Sequence, residues 1–452
     1  MTTSPGAEHV PAAPRGAGPE PAASLVSGPE PAASRGAGRE LTVATYHVLT
    51  RLPLEQAVSA IAGEQSTGTF VSVAGETDEL RARHGAVVLG MTEIPAPVAE
   101  ALPGAAGDGP LTAGLVRIGF PLANTGPSLT NLLPVVAGNL FELRELAGLK
   151  LVDLDLPAAF GEAYLPARFA VEGTRRLVGR PGGVLIGTIV KPNVGLRPSD
   201  YVDLVLELGL SGADFVKDDE VNGDCPPAPL PQRVRAVTGA LDEVERRTGR
   251  RPMYAFNISD EPDRMLANHD LVVAAGGTCV MVNLNVVGLP AVAMLRRHSR
   301  VPIHGHVTGT GALFRHPGIG IAHVAYQKLA RLAGVDHLHC GGFHSKFYVT
   351  DDDVQRTVAA VREPLLGGFP CLPVLSSAQW AGTAPVTLDR TGTSDLLVLA
   401  GGGVLGHPDG PAAGITSIRQ AWAAAVAGVP LTEVHEPELA RALEHFGGVV
   451  RK

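Results

Sequence analysis

Residues 212–220 read Gly-Ala-Asp-Phe-Val-Lys-Asp-Asp-Glu: a short apolar run that ends abruptly in a lysine and three carboxylates. Apolar, β-rich runs of similar length recur at 183–190, 213–216, 253–258, 279–284, 301–306, 337–340, 372–375 and 396–399. Amphipathic helical stretches separate most of them, at 201–210, 233–247, 324–332 and 354–361, and another at 415–427 follows the last. Strands alternating with helices form parallel sheets, and eight of them predict a closed (β/α)8 barrel within an α/β chain. A doubly wound open sheet is the alternative, but eight strands of this kind fit closure better. Polar residues and glycines cluster just after the strands, at the face where barrels carry their chemistry.

Upstream the rhythm differs. Strands are expected at 43–49, 86–91, 111–120 and 151–154, a helix at 53–61, and a helix or turn at 132–141. These describe an α+β region of about a hundred residues. Residues 1–38 are Pro, Ala, Gly, Ser and Glu, with Gly-Pro-Glu-Pro-Ala-Ala-Ser at 18–24 and again at 28–34. Such a segment cannot bury enough surface to offset ordering entropy, so a disordered tail is expected. The predicted division is 1–38, 39–168 and 169–452.

The 452 residues are 45% hydrophobic and 18% charged, enough for a large buried core. A net charge of −8 argues against nucleic acid or an anionic membrane as partner, and 4% aromatic content argues against base-stacking platforms. Cys225, Cys279, Cys340 and Cys371 stand far apart, so neither a disulfide scaffold nor a structural zinc site is indicated. No apolar run reaches the ~18 residues of a spanning helix, and the first residues lack a signal-peptide pattern; a cytoplasmic soluble protein is expected. Six lysines stand against 31 arginines. A lysine that persists is a candidate for work arginine cannot do: losing its proton, or reacting with CO2.

Carboxylates stacked beside Lys217 at a strand end repel one another unless a cation sits there, and hard oxygen ligands suit Mg²⁺. Lys217 cannot ligate as an ammonium, but its carbamate would be an oxygen ligand. Lys191, directly after the first strand, is placed to shuttle protons. His304 and His306 on strand five, and His337 and His339 on strand six, share strand faces by the period of two. They allow a zinc hydrolase reading, although that class wants its His-x-His on strand one; His304 and His337 read as hydrogen-bonded core residues. Gly341-Gly342 before Lys346 describes a hinged loop that carries a cation over a bound anion. Ser376 ends strand seven, and Gly401-Gly402-Gly403 after strand eight offers free backbone N–H groups to a phosphate.

Taken in this order, the motifs make the chain resemble the large subunit of ribulose-bisphosphate carboxylase/oxygenase, and more specifically the RuBisCO-like proteins. The resemblance runs from about Leu41 to the C-terminus. It implies a (β/α)8 TIM barrel preceded by a smaller ferredoxin-like α+β domain. By the same likeness Lys217 is the carbamylated lysine, Asp219 and Glu220 complete the ligands of one Mg²⁺ per site, and Lys191 is the proton-transfer lysine. His306 and His339 become substrate-contacting, Lys346 the mobile-loop lysine, and Ser376, Gly401 and Gly402 substrate- and phosphate-binding. Glu64, Thr69 and Asn139 fall in segments that complete a neighbouring subunit's site, which implies at least a homodimer.

Departures from the carboxylases narrow the function. Asn193 stands in place of a second lysine, Val307 in place of a phosphate-gripping arginine, Thr310 in place of a histidine, and Phe70 in place of a tryptophan. One phosphate grip is gone while the glycine-lined one remains. A monophosphorylated keto sugar or keto sugar acid is therefore the expected substrate, with isomerisation, enolisation or decarboxylation through enolate chemistry rather than CO2 fixation. Asn139 replaces the base of the methionine-salvage enolases, which leaves Lys191 as the base. A true carboxylase, a carbamate-bridged metal hydrolase and a catalytically silent binding barrel remain the alternatives.

Overall fold

The computed structural model describes residues 35–36, 39–68, 73–96 and 100–447. Of the expected tail it describes only Arg35–Gly36, a short strand pairing antiparallel with Arg39 and Glu40; the rest, together with Thr69 and Phe70, lies outside the described residues.

The first region runs β1 (Arg39–Thr50), α1 (Leu54–Glu64), β2 (Val87–Ile94), β3 (Thr112–Pro121), α2 (Leu129–Ala137) and β4 (Gly148–Asp155). This β-α-β-β-α-β order, with neighbours β4-β1-β3-β2, is the ferredoxin-like arrangement. Tyr46 of β1 is fully buried and donates to the Val136 carbonyl at 2.8 Å, which pins α2 to the sheet. Residues 132–141 prove to be the end of α2 followed by a 3₁₀ turn, Asn139–Glu142.

After α3 (Ala170–Val178) come the eight barrel strands: β5 (Leu185–Ile189), β6 (Phe215–Lys217), β7 (Met253–Asn257), β8 (Cys279–Asn283), β9 (Ile303–His306), β11 (His337–Gly341), β12 (Leu372–Leu375) and β13 (Leu397–Leu399). They close in parallel, β13 beside β5. A helix follows each: α4 (Pro198–Leu210), α5 (Leu230–Thr248), α6 (Pro262–Ala274), α7 (Leu289–His298), α8 (His323–Leu332), α9 (Asp351–Arg362), α10 (Ala384–Thr391) and α11 (Gly410–Ala427). Every residue of β7 and β8 is buried, because strands of such a barrel face its filled interior on one side and its helices on the other. The interior holds Leu185, Phe215, Met253, Met281, Val374 and Leu397, so the barrel is a packed core and only its rim is open to chemistry.

The strand after β9 was not among those expected. Ile319–Ile321, in the long connection after β9, forms β10 and pairs in parallel with β4 of the other region's sheet. Lys150 of β4 donates to the carbonyls of Phe314 and His316 at 2.8 and 2.9 Å, and Lys328 of α8 to that of Leu154 at 2.8 Å. Among the described residues no helix is long and apolar enough to cross a membrane.

Candidate active site

Strand β6 ends at Lys217, whose side chain is 1% exposed. Its Nζ donates to the Asp218 carbonyl at 2.8 Å and lies 3.9 Å from Glu220 Oε2. Burial lowers the amine from its ordinary 10.5 to about 8, against the opposing pull of Glu220, Asp219 and Asp218. A free amine within reach of neutral pH is what reaction with CO2 requires.

The three carboxylates do not form one cluster. Asp218 turns away from the rim, where it accepts from Tyr254 Oη at 2.6 Å, Arg233 Nε at 3.1 Å and the Asn257 backbone N–H at 2.9 Å. Both Asp218 and Arg233 are fully buried, and the repulsion expected among three adjacent carboxylates is relieved by this internal ion pair. Asp219 and Glu220 stay with Lys217. Asp219 Oδ2 accepts from Lys191 Nζ at 2.6 Å, and Glu220 Oε2 lies 3.6 Å from His306 Nε2. Lys191 also donates to Asn193 Oδ1 at 2.7 Å, and its side chain is 37% exposed.

This set fits a hard divalent cation. The Lys191 ammonium already holds the place of a positive charge against Asp219. Asn283, whose Nδ2 donates to the Glu220 carbonyl at 2.8 Å, keeps a buried Oδ1 with no partner. An unpaired buried acceptor costs about 1–3 kcal/mol, and it is relieved by a cation or its water. Asn257 supports the same turn through the carbonyls of Asp219 and Glu220, both at 3.2 Å. Sequence reasoning passed over Asn257 and Asn283; the available signal was a polar residue closing each of two otherwise apolar strands.

The histidines form a line through the barrel. Thr174 Oγ1 of α3 lies 2.7 Å from His337 Nε2, His337 Nδ1 lies 3.4 Å from His304 Nδ1, and His304 Nε2 lies 2.8 Å from His339 Nε2. His339 Nδ1 then meets Ser376 Oγ at 3.0 Å. Desolvation holds His304, His306, His337 and His339 neutral, with Lys217 adding to the effect on all but His337. His306 stands apart from this line: its Nδ1 accepts from the Thr308 N–H at 3.2 Å, which leaves Nε2–H toward Glu220. The paired histidines do not assemble a zinc site among the described residues. The one group with suitable spacing is His269, Asp270 and His298, on α6 and α7. There His269 Nε2 accepts from the Arg300 N–H, so its Nδ1 carries a proton toward Asp270 and offers no lone pair to a metal.

At the rim, Gly401 and Gly402 open the short helix after β13. A Cβ on Gly401 would stand 4.0 Å from Lys191 Cε, one on Gly402 would meet nothing, and one on Gly403 would sit 2.2 Å from the Gln379 carbonyl oxygen. Gly402 therefore borders free space, whereas Gly403 is required by packing. Gly342 is likewise a close-approach glycine, its Cβ position 2.1 Å from the Ser376 carbonyl oxygen. With Phe343 fully buried after it, the loop is anchored there and any hinge begins at His344. Lys346 is exposed, 5.3 Å over the Phe347 ring, away from Lys191 and Lys217 in hydrogen bonding. Glu64 and Asn139 are exposed on the ferredoxin-like region and form no side-chain hydrogen bond with the rim among the described residues. A depression of about 450 Å³ lies beside Glu64, lined by Gln65, Ser66, Thr67, Glu76, His84 and Asn124. Within one chain, then, Lys191, Lys217, Asp219, Glu220, His306, His339, Ser376, Gly401 and Gly402 stand at the strand ends of the barrel, and Glu64, Asn139 and Lys346 form no side-chain hydrogen bond with them among the described residues.

Comparison with known proteins matches the same chain twice. The catalytic domain of the ribulose bisphosphate carboxylase large chain matches residues 170–446, and its N-terminal domain residues 36–160. A 3-oxo-isoapionate-4-phosphate decarboxylase of Rhizobium rhizogenes is 43% identical over 408 residues, 89% of this chain and 97% of that protein. A 3-oxo-isoapionate-4-phosphate transcarboxylase/hydrolase of Xanthobacter autotrophicus is also 43% identical, over 89% of this chain and 99% of its own. A rubisco-like protein from Burkholderia fungorum superposes with a TM-score of 0.84 at 41% identity, covering 90% of this chain and all of that one. With both domains of the family matched and the Lys217–Asp219–Glu220 cluster at the mouth of its barrel, the chain belongs to the ribulose bisphosphate carboxylase large-chain family, in its non-carboxylating RuBisCO-like branch.

Proposed function

We propose that the protein is a Mg²⁺-dependent decarboxylase of a monophosphorylated 3-keto sugar acid, of the class of 3-oxo-isoapionate 4-phosphate. The observation that carries this reading is the Lys191–Asp219 contact of 2.6 Å beside Lys217 and Glu220: a proton carrier stands against the cation site. When bound, Mg²⁺ would supply positive charge against the keto oxygen on which negative charge develops. Lys217 as its carbamate, Asp219 and Glu220 would hold the ion. Loss of CO2 from a 3-keto acid sends the C–C electron pair toward that oxygen, and the carbon left behind needs one proton. Lys191 delivers it, and by microscopic reversibility the same amine removes an α-proton from the product. Asn193, Val307 and Thr310, in place of three basic groups of the carboxylases, disfavour a bisphosphate.

The single phosphate falls to Gly401 and Gly402, with the partner subunit's Thr69 and with Lys346 closing over it. The exposed Glu64 and Asn139 support a homodimer in which each ferredoxin-like region serves the other barrel. The relatives' names and the 43% identity support the substrate class. The test is turnover of 3-oxo-isoapionate 4-phosphate in D2O with Mg²⁺: CO2 is released and at least one deuteron enters the product. No CO2 release from that compound overturns the reading. The equal identity of the X. autotrophicus relative supports a second reading, carboxyl transfer. A ¹³C-carboxyl substrate separates the two, since a decarboxylase frees all label as CO2 and a transcarboxylase retains it in a second product.

A further inference from the structure

The line of side chains from Thr174 to Ser376 has one end that cannot be reversed. Thr174 Oγ1 lies 2.5 Å from the Ala170 carbonyl oxygen, which only accepts. Two oxygens at that separation need a proton between them, so Thr174 donates to Ala170. Its lone pairs then face His337 Nε2, which must be the donor. A neutral imidazole carries one proton, so each assignment forces the next. His337 Nδ1 is bare and accepts from His304 Nδ1–H. His304 Nε2 is bare and accepts from His339 Nε2–H. His339 Nδ1 is bare and accepts from the Ser376 hydroxyl. Burial keeps all three rings neutral, and Thr174, His304 and His337 are fully buried, so no water breaks the series.

We infer that the Ala170 carbonyl, at the end of the barrel opposite the site, sets the tautomers of His337, His304 and His339 through Thr174, so that Ser376 reaches the mouth with its only proton already donated inward. Thr174 and His337 are thus positioning residues for a site they do not touch. Ser376 Oγ meets a ligand with lone pairs alone: it receives a hydrogen bond from a sugar hydroxyl and offers none to a phosphate or carboxylate oxygen. The hydroxyl preference rests on the sugar-acid reading above; the proton order does not.

Neutron diffraction from perdeuterated crystals of the full chain tests the order without any substrate, so its outcome is separate from that of the turnover assay. Deuterons are expected on His337 Nε2, His304 Nδ1 and His339 Nε2, with the Ser376 deuteron aimed at His339. A deuteron on His339 Nδ1 overturns the inference. In Thr174→Val, which keeps the shape and removes the anchor, the reversed set should gain occupancy by about fivefold, the weight of one neutral hydrogen bond. Thr174→Ser should restore the original order. Unchanged deuterons in Thr174→Val would show that Thr174 does not set it.

Discussion

Lys217 sits where two effects oppose each other, and the magnitudes decide between them. Three carboxylates favour its ammonium, yet burial wins and brings the amine down to about 8. Its free form therefore grows from about a tenth at pH 7 to about nine tenths at pH 9. CO2 adds only to the free form, so activation by preincubation with CO2 and Mg²⁺ should rise across that window. Lys217→Met should abolish both the rise and the activity, as read by the rate of CO2 release after preincubation. Lys191 calls for a different variant. Arginine keeps the charge beside Asp219 but holds its proton, so Lys191→Arg should bind the product ketose phosphate normally and lose its α-proton exchange by ~10²–10⁴-fold. Exchange at the wild-type rate in D2O would move the proton carrier to His306, whose Nε2–H faces Glu220 at 3.6 Å.

Among the elements, the turn after β13 separates two glycines that look alike in sequence. Gly402 faces open space, so Gly402→Leu should leave the melting temperature unchanged and raise KM for the phosphorylated substrate. Gly403→Ala presses a methyl against the Gln379 carbonyl and should cost about 1–3 kcal/mol of stability, read by denaturant titration. The barrel strands were legible because strands buried on both faces are written as unbroken apolar runs. Helices α6, α7 and α10 were not: His269, Arg296 and Thr387 are buried on them in turn, so polar letters fall on the inward face and blur the stripe. Strand β10 escaped because three residues centred on Gly320 carry no periodicity. At the site, Lys217 lies beside Glu220 and Asp219 accepts from Lys191, but which way Asp218 faces depends on Arg233 and Tyr254, distant in sequence. The scarcity of lysine was a partial guide. It marked Lys191 and Lys217, yet Lys150 and Lys328 are equally rare and serve to bind the two regions together.

At the level of the whole molecule, a homodimer in which Glu64 and Asn139 serve the other barrel predicts complementation. Lys217→Ala and a Glu64→Ala variant, each inactive, should recover roughly a quarter of wild-type activity when unfolded and refolded as a mixture, since random pairing gives half heterodimers with one intact site of two. No recovery would mean that each chain builds its site alone. A last consequence follows from β10. Because Ile319–Ile321 lies along β4 through Leu149, Lys150 and Leu151, the ferredoxin-like sheet has that margin covered by a segment encoded 170 positions later. Cut out as residues 39–168, it would present a bare, unpaired edge of Leu149, Leu151 and Leu154, an invitation to sticky self-association. The excised fragment should precipitate or form ladders of oligomers on gel filtration, and a peptide carrying 314–322 should hold it in solution. The newly made N-terminal region should therefore keep that margin open until 319–321 emerge from the ribosome, and a nascent chain stalled before them should be the one that recruits a chaperone.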